Sequence, residues 1–139
     1  MSLQSLRIRR GVNLEVLVLY RLAGKIDLLY ALRALSTGRM SYREVSERYG
    51  VNQGSLENAF RELCSGRYQL CARVLPIAVD VVLSKVPSVA TRGYCGLCGI
   101  VVSNLPLHLG KKHRDVVEYY TSVVRSEVAE LLRRESLVS

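Results

Sequence analysis

Residues 92–115, "RGYCGLCGIVVSNLPLHLGKKHRD", hold two of the chain's four cysteines and both of its histidines. No other stretch of the 139 residues restricts folding so tightly. Cys95 and Cys98 have two residues between them, His108 and His113 have four, and nine separate the pairs. Two thiolates and two imidazoles form a complete tetrahedral set for one Zn²⁺ per chain. A Cys-x-x-Cys turn aims both sulfurs at one point, and Gly99 lets backbone N–H groups approach the thiolates. The histidines are harder to unite. Five positions apart on an ideal helix, they point about 140° apart, so Gly110 is expected to relax the helix until both rings face inward. The ion is expected to be structural, because all four positions are protein ligands and the loop holds no Glu to act as a base. A redox pair would want a strand before "CGLC" and a longer apolar helix after it. A disulfide there would leave two clustered histidines unexplained.

Other residues of the segment fit the same pattern. Tyr94 precedes the first Cys, Val102 stands four after the second, and Leu105 stands three before the first His. In these positions the segment resembles the Cys2His2 zinc-finger family, which implies a core role for all three. The family's usual spacer between the pairs is about twelve residues, and this one has nine. The shortening falls at the helix start, so the family's three-bases-per-finger reading does not carry over.

A second pattern lies at residues 41–66, "SYREVSERYGVNQGSLENAFRELCSG", which fits two short helices and a tight turn. Ser41 and Glu44 form a capping box, Gly50 supplies the turn, and Asn52 caps a second helix with the apolar face Leu56, Ala59, Phe60 and Leu63. The stretch resembles the helix-turn-helix superfamily, with Ser46 at the small position where the helices touch and Gly50 as the turn glycine. That resemblance implies DNA contact from the second helix, over 52–63. Asn52, Gln53, Gly54, Ser55, Glu57, Asn58 and Arg61 then point outward. Asn and Gln pair bidentately with adenine, and Arg with guanine or phosphate. Arg39, Arg43 and Arg48 flank that helix as candidate backbone contacts, and Lys111 and Lys112 add two more on the zinc segment. The arm "RIRR", residues 7–10, would suit a minor groove. Glu57 and Glu62 on the second helix oppose phosphate.

Charge agrees with a polyanionic partner. The net charge is +8, and 16 of the 20 basic residues are Arg, whose planar fork donates two parallel bonds to phosphate. The charge is uneven: residues 1–25 carry net +4, 66–93 and 94–114 carry +3 each, and 115–139 carry −2.

The remaining segments are helical. Residues 13–23 place Leu14, Leu17, Val18 and Leu22 on one stripe behind Asn13 as N-cap, although the same letters alternate tolerably as a strand. Leu28, Leu29, Leu32 and Leu35 mark a second helix ended by Ser-Thr-Gly. Residues 67–86 repeat at a helical period with a kink expected at Pro76, a β-wing being the alternative. "VPSVATRG" is the linker candidate. Residues from Arg114 onward form one amphipathic helix with the stripe Val116, Val117, Tyr120, Val123, Val124, Val128, Leu131 and Leu132. Cys64 and Cys71 are expected as buried apolar residues or a free thiol, since nothing marks the chain for export and cysteines then favour metal or thiol chemistry.

The expected fold class is mostly α: a helix-turn-helix domain, with a winged form as the alternative, over 1–86, a linker at 87–91, and a small Cys2His2 zinc finger with a long C-terminal helix over 92–139. The expected function is double-stranded DNA binding as a transcription regulator, in a cytoplasmic, nucleoid-associated protein. The combination resembles small DNA-binding proteins of archaea and their viruses. A homodimer through the C-terminal helix is expected, because a finger this small cannot cover the whole stripe. No membrane span, small-molecule substrate or enzyme activity is expected: the chain has no run of 18 apolar residues, carboxylate pair, Ser/His/Asp set or Gly-rich phosphate loop. An RNA-binding protein and a protein–protein adaptor are the other classes that remain.

Overall fold

Helix α1 (Leu14–Leu22) begins where the Asn13 side chain accepts the Val16 amide. It buries Leu14, Val16, Leu17, Val18 and Leu22, more than one stripe. A helix apolar on most of its surface belongs in an interior, and α1 is the central strut of the molecule. In this computed structural model, which describes residues 12–64 and 68–138, it touches five of the other six described helices.

Helix α2 (Ile26–Ser36) buries Leu29, Ala31, Leu32 and Leu35. Helices α3 (Tyr42–Tyr49) and α4 (Gln53–Leu63) follow, packed on α2 and on each other. Their local signals are those expected from sequence. Ser41 and Glu44 form both halves of the capping box, and Asn52 accepts the Ser55 amide. Gly50 closes α3 at φ 67°, a left-handed conformation that glycine adopts without steric cost. The Ser46 hydroxyl donates to the Val51 carbonyl, so this small residue also braces the turn.

Helix α5 (Tyr68–Lys85) runs unbroken through Pro76 and packs on α1, α2 and the last helix. The β-wing alternative for 67–86 is therefore overturned. Its period places Cys71, Leu75, Ala78, Val79 and Val82 in the core, and the burial of that face outweighs the one amide that Pro76 removes.

Cys64 and Cys71 form a disulfide, which corrects the expectation of buried thiols. Cys64 caps the end of α4 and Cys71 lies near the start of α5, with their Cα atoms 5.5 Å apart. That separation is ordinary for a disulfide. The expectation rested on compartment, which is silent about how near the two residues come in the fold.

The rest of the chain is a small antiparallel sheet of order β1 (Ala90–Thr91), β2 (Tyr94–Cys95), β3 (Ile100–Val101), then α6 (Leu105–Lys112) and the long α7 (Arg114–Val138). Ala90 pairs with Cys95, and Cys95 with Ile100.

Residues 87–91 are not a free linker. Val86 and Ala90 are buried, the Val89 amide donates to the Leu22 carbonyl, and the Arg21 guanidinium donates to the Val86 carbonyl. Gly24 sits at φ 78°, where a Cβ would meet the Ala90 carbonyl oxygen at 2.4 Å. Only glycine permits that approach. One hydrophobic core runs through both halves, so the expectation of two cores divided by a linker is corrected.

Helix α7 lies on α1 and α5. Val117, Val124 and Val128 are buried, and Val116, Tyr120, Leu131 and Leu132 are partly so. Thr121 shares the buried face by donating its hydroxyl to the Val117 carbonyl. Ion pairs Arg114–Glu15 and Arg73–Glu135 hold the two ends of α7. Of the stripe that motivated a dimer, every residue but Val123 packs on this core.

Candidate functional site

The four residues that could hold a metal are set by three turns. Arg92 and Gly93 join β1 to β2 in a two-residue hairpin with φ of 48° and 82°, the positive pair of a type I′ turn. This aims β2 so that Cys95 is buried. The chain then turns through residues 96–99, where the Gly99 amide donates to the Cys95 carbonyl at 2.7 Å and leaves Cys98 at the surface. Finally Asn104 caps α6 by accepting the Leu107 amide, and His108 lies one turn in.

His113 does not continue that helix. It is the C-cap of α6, at φ −125° and ψ 43°. This break, one residue before α7, swings its ring toward His108 until the centroids are 5.2 Å apart. The expected relaxation at Gly110 is thus replaced by a break at His113. Gly110 instead faces α1, where an added Cβ would make only ordinary contact with the Leu19 side chain at 3.8 Å.

All four ligand atoms converge. Cys95 Sγ lies 3.5 Å from His113 Nε2, and Cys98 Sγ lies 3.3 Å from His108 Nε2. One ligand atom from each residue falls within 4.8 Å of every other, a spacing compatible with a single metal ion. Desolvation, and then the neighbouring Cys95 sulfur, push the Cys98 thiol up. A bound cation would reverse that by favouring thiolate.

The finger's expected core residues divide. Leu105 is buried and Val102 partly so, while Tyr94 is 48% exposed. Its strand has only one covered face, and the buried register position goes to Cys95. Leu109, buried beneath α6, takes the core place that sequence reasoning did not name.

On α4 the candidate contacts Gln53, Ser55, Asn58 and Arg61 are exposed, while Leu56, Ala59, Phe60 and Leu63 fix the opposite face. Asn52 is exposed too, but its carboxamide oxygen is engaged by the cap. Glu57 is half-buried. Arg39, Arg43 and Arg48 are exposed, and Arg43 is paired with Glu47 at 3.2 Å. Lys111 and Lys112 are exposed on the last turn of α6. The arm at 7–10 lies outside the described residues.

A groove of about 1070 Å³ separates α4 from the metal-ligating segment. Ser55 and Asn58 line it from α4, and Lys25, Arg92 and Lys111 from elsewhere. Tyr20 also lines it, its phenol pushed up to about 12 by burial and then by Glu62. Sequence reasoning missed Lys25 and Arg92. The signal for Arg92 was the Arg-Gly pair between two short strand-like dipeptides.

Among the described residues no helix is long and apolar enough to cross a membrane. Compared with known protein families, curated proteins and solved structures, the chain matches none.

Proposed function

We propose that the chain is a double-stranded DNA-binding protein and transcription regulator, that α3 and α4 act as its helix-turn-helix, and that Cys95, Cys98, His108 and His113 hold a structural Zn²⁺. The observation that carries the reading is α4 itself. Its apolar face is fully engaged, so Gln53, Ser55, Asn58 and Arg61 are all left exposed around the rest of a rigid helix. Side chains of this type read base edges when a helix enters the major groove. The net charge of +8 supplies the attraction to phosphate that makes such a helix approach DNA at all.

Zinc is the metal that suits this donor set. Zn–S bonds of about 2.3 Å and Zn–N bonds of about 2.0–2.1 Å in a tetrahedron separate S from N by about 3.5 Å. Two of the four sulfur–nitrogen distances are 3.5 and 3.3 Å, and all the ligand atoms lie within 4.8 Å of one another. Four protein ligands fill the tetrahedron and leave no open position for substrate. The ion's role is to lock the small sheet against α6.

The test is binding of random duplex DNA and duplex RNA, each titrated with salt. DNA preference with strong salt dependence supports the reading, and binding to neither overturns it. One observation favours a second reading, a protein–protein adaptor: Tyr94, Leu97, Ile100, Val101 and Leu107 are exposed on the metal-ligating segment.

A further inference from the structure

We propose that the groove between α4 and the metal-ligating segment seats one phosphodiester strand of the duplex, held by Lys25, Arg92 and Lys111. The proposal rests on the DNA-binding reading. It adds to that reading a path for the backbone and two residues, Lys25 and Arg92, that α4 alone does not suggest.

The first support is the balance of charge inside the groove. Among the described residues Lys25, Arg92 and Lys111 have no ion-pair partner, and all three are exposed. Arg114 also lines the groove but is held by Glu15 and Glu118. That pairing neutralises Glu15, one of the groove's two carboxylates. The other, Glu62, lies in the last turn of α4 and acts on Tyr20. Its charge repels phosphate from that end and leaves the Ser55 and Asn58 end as the passage. Three free cations against one carboxylate favour a polyanion over a neutral or acidic peptide.

The second support is the backbone of Arg92. At φ 48° it occupies the left-handed region, at the first central position of a hairpin turn. Gly, Asn and Asp adopt that conformation most readily. Arginine here gains nothing for the turn, so its presence is accounted for by what its side chain reaches. A planar guanidinium at a turn tip is suited to a phosphate, which it binds through two parallel hydrogen bonds.

The third support is placement. Ser55 and Asn58, three residues apart, share the side of α4 that lines this groove, so a duplex engaged by that side brings one flanking strand into it. The shared core fixes the opposite wall, because Lys25 follows Gly24, which is packed on Ala90, and Arg92 follows β1. The metal segment then works as a rigid jaw on the backbone. That accounts for a finger whose helix has lost the length needed to read bases.

The experiment uses the full, metal-loaded chain and a random-sequence duplex, with the dissociation constant measured across a salt series. The variants are Arg92→Asn, Lys25→Gln, Lys111→Gln and the triple. Asparagine tolerates the left-handed backbone, so the turn survives, and metal content with circular dichroism verifies folding. Each lost phosphate contact reduces the slope of log K against log salt by about 0.9. The triple variant is expected to flatten it by about 2 to 3 and to weaken binding at least tenfold at low salt. Glu62→Gln is expected to tighten binding, and Arg125→Gln, exposed on α7, to change nothing. A triple variant with the wild-type slope, while Arg48→Ala flattens it, overturns the groove proposal and leaves the DNA reading standing. Wild-type protein that binds no duplex at any salt overturns both.

Discussion

The Val89 amide donates to the Leu22 carbonyl at 3.0 Å, joining the end of α1 to the residue just before β1. Beside it, the Gly24 backbone lies against the Ala90 carbonyl. These contacts make the segment ahead of the metal ligands part of the helical core.

Gly24→Ala tests that joint. A methyl group there would overlap the Ala90 oxygen and would also strain the left-handed backbone at φ 78°. The expected loss is above about 2 kcal/mol. Urea unfolding monitored by helical signal and by metal release should shift both curves together.

Metal removal has the same reach. Cys95 and Leu109 belong to the common core, so Cys95→Ser or chelation is expected to destabilise the helices of residues 12–85 as well as the sheet. Native protein should carry one zinc per chain by elemental analysis, and cobalt substitution should show thiolate charge transfer. Protons compete for imidazole and thiolate ligands, so affinity falls as pH drops. Zinc-free native protein after metal-replete expression would sink the assignment.

Base and phosphate contacts should separate. Gln53→Ala and Asn58→Ala are expected to reduce sequence preference by about 1–3 kcal/mol per lost base contact while sparing random-duplex affinity. Arg39→Ala and Arg48→Ala should do the reverse. Arg43→Ala should do less, because Glu47 already holds it. Competition binding with specific and random duplexes distinguishes these outcomes.

Reduction should weaken the fold. The Cys64–Cys71 bridge closes a short loop, with a sequence separation of 7. Chain-entropy reasoning gives about 2–3 kcal/mol for such a loop. A Cys64→Ala, Cys71→Ala double variant should lose that much in denaturant unfolding and become insensitive to reductant.

Alkaline pH offers an independent check on the groove. Burial and Glu62 raise the Tyr20 phenol from 10.0 to about 12. Because the folded value exceeds the unfolded one, this group's contribution is intact below pH 10 and declines as pH rises through about 12. Tyr20→Phe should remove that part of the alkaline destabilisation, measured by the unfolding midpoint across pH.

Short-range chemistry was legible in the sequence. Asn13, Ser41, Glu44, Gly50 and Asn52 act through neighbours within a few positions, and each performs the expected capping or turning. The cluster of Cys95, Cys98, His108 and His113 was legible because its spacing is itself local. What covers the α7 stripe was not, since Val124 and Val128 show only that they need a partner. The Cys64–Cys71 bridge depends on how near the start of α5 comes to the end of α4, and Thr121 is polar by letter yet buried through one backbone bond. The groove is a relation between α4 and a turn more than thirty residues later, which no local pattern records.

The shared core has a practical meaning for anyone handling this chain. Fingers strung like beads can be cut out, shuffled and grafted, because each carries its own interior. Here a cut after residue 86 would remove α7 and leave the faces of α1 and α5 bare to water. The excised piece would lose the helices that bury Val117, Val124 and Val128. Neither fragment is a transplantable cassette, and both would be expected to aggregate.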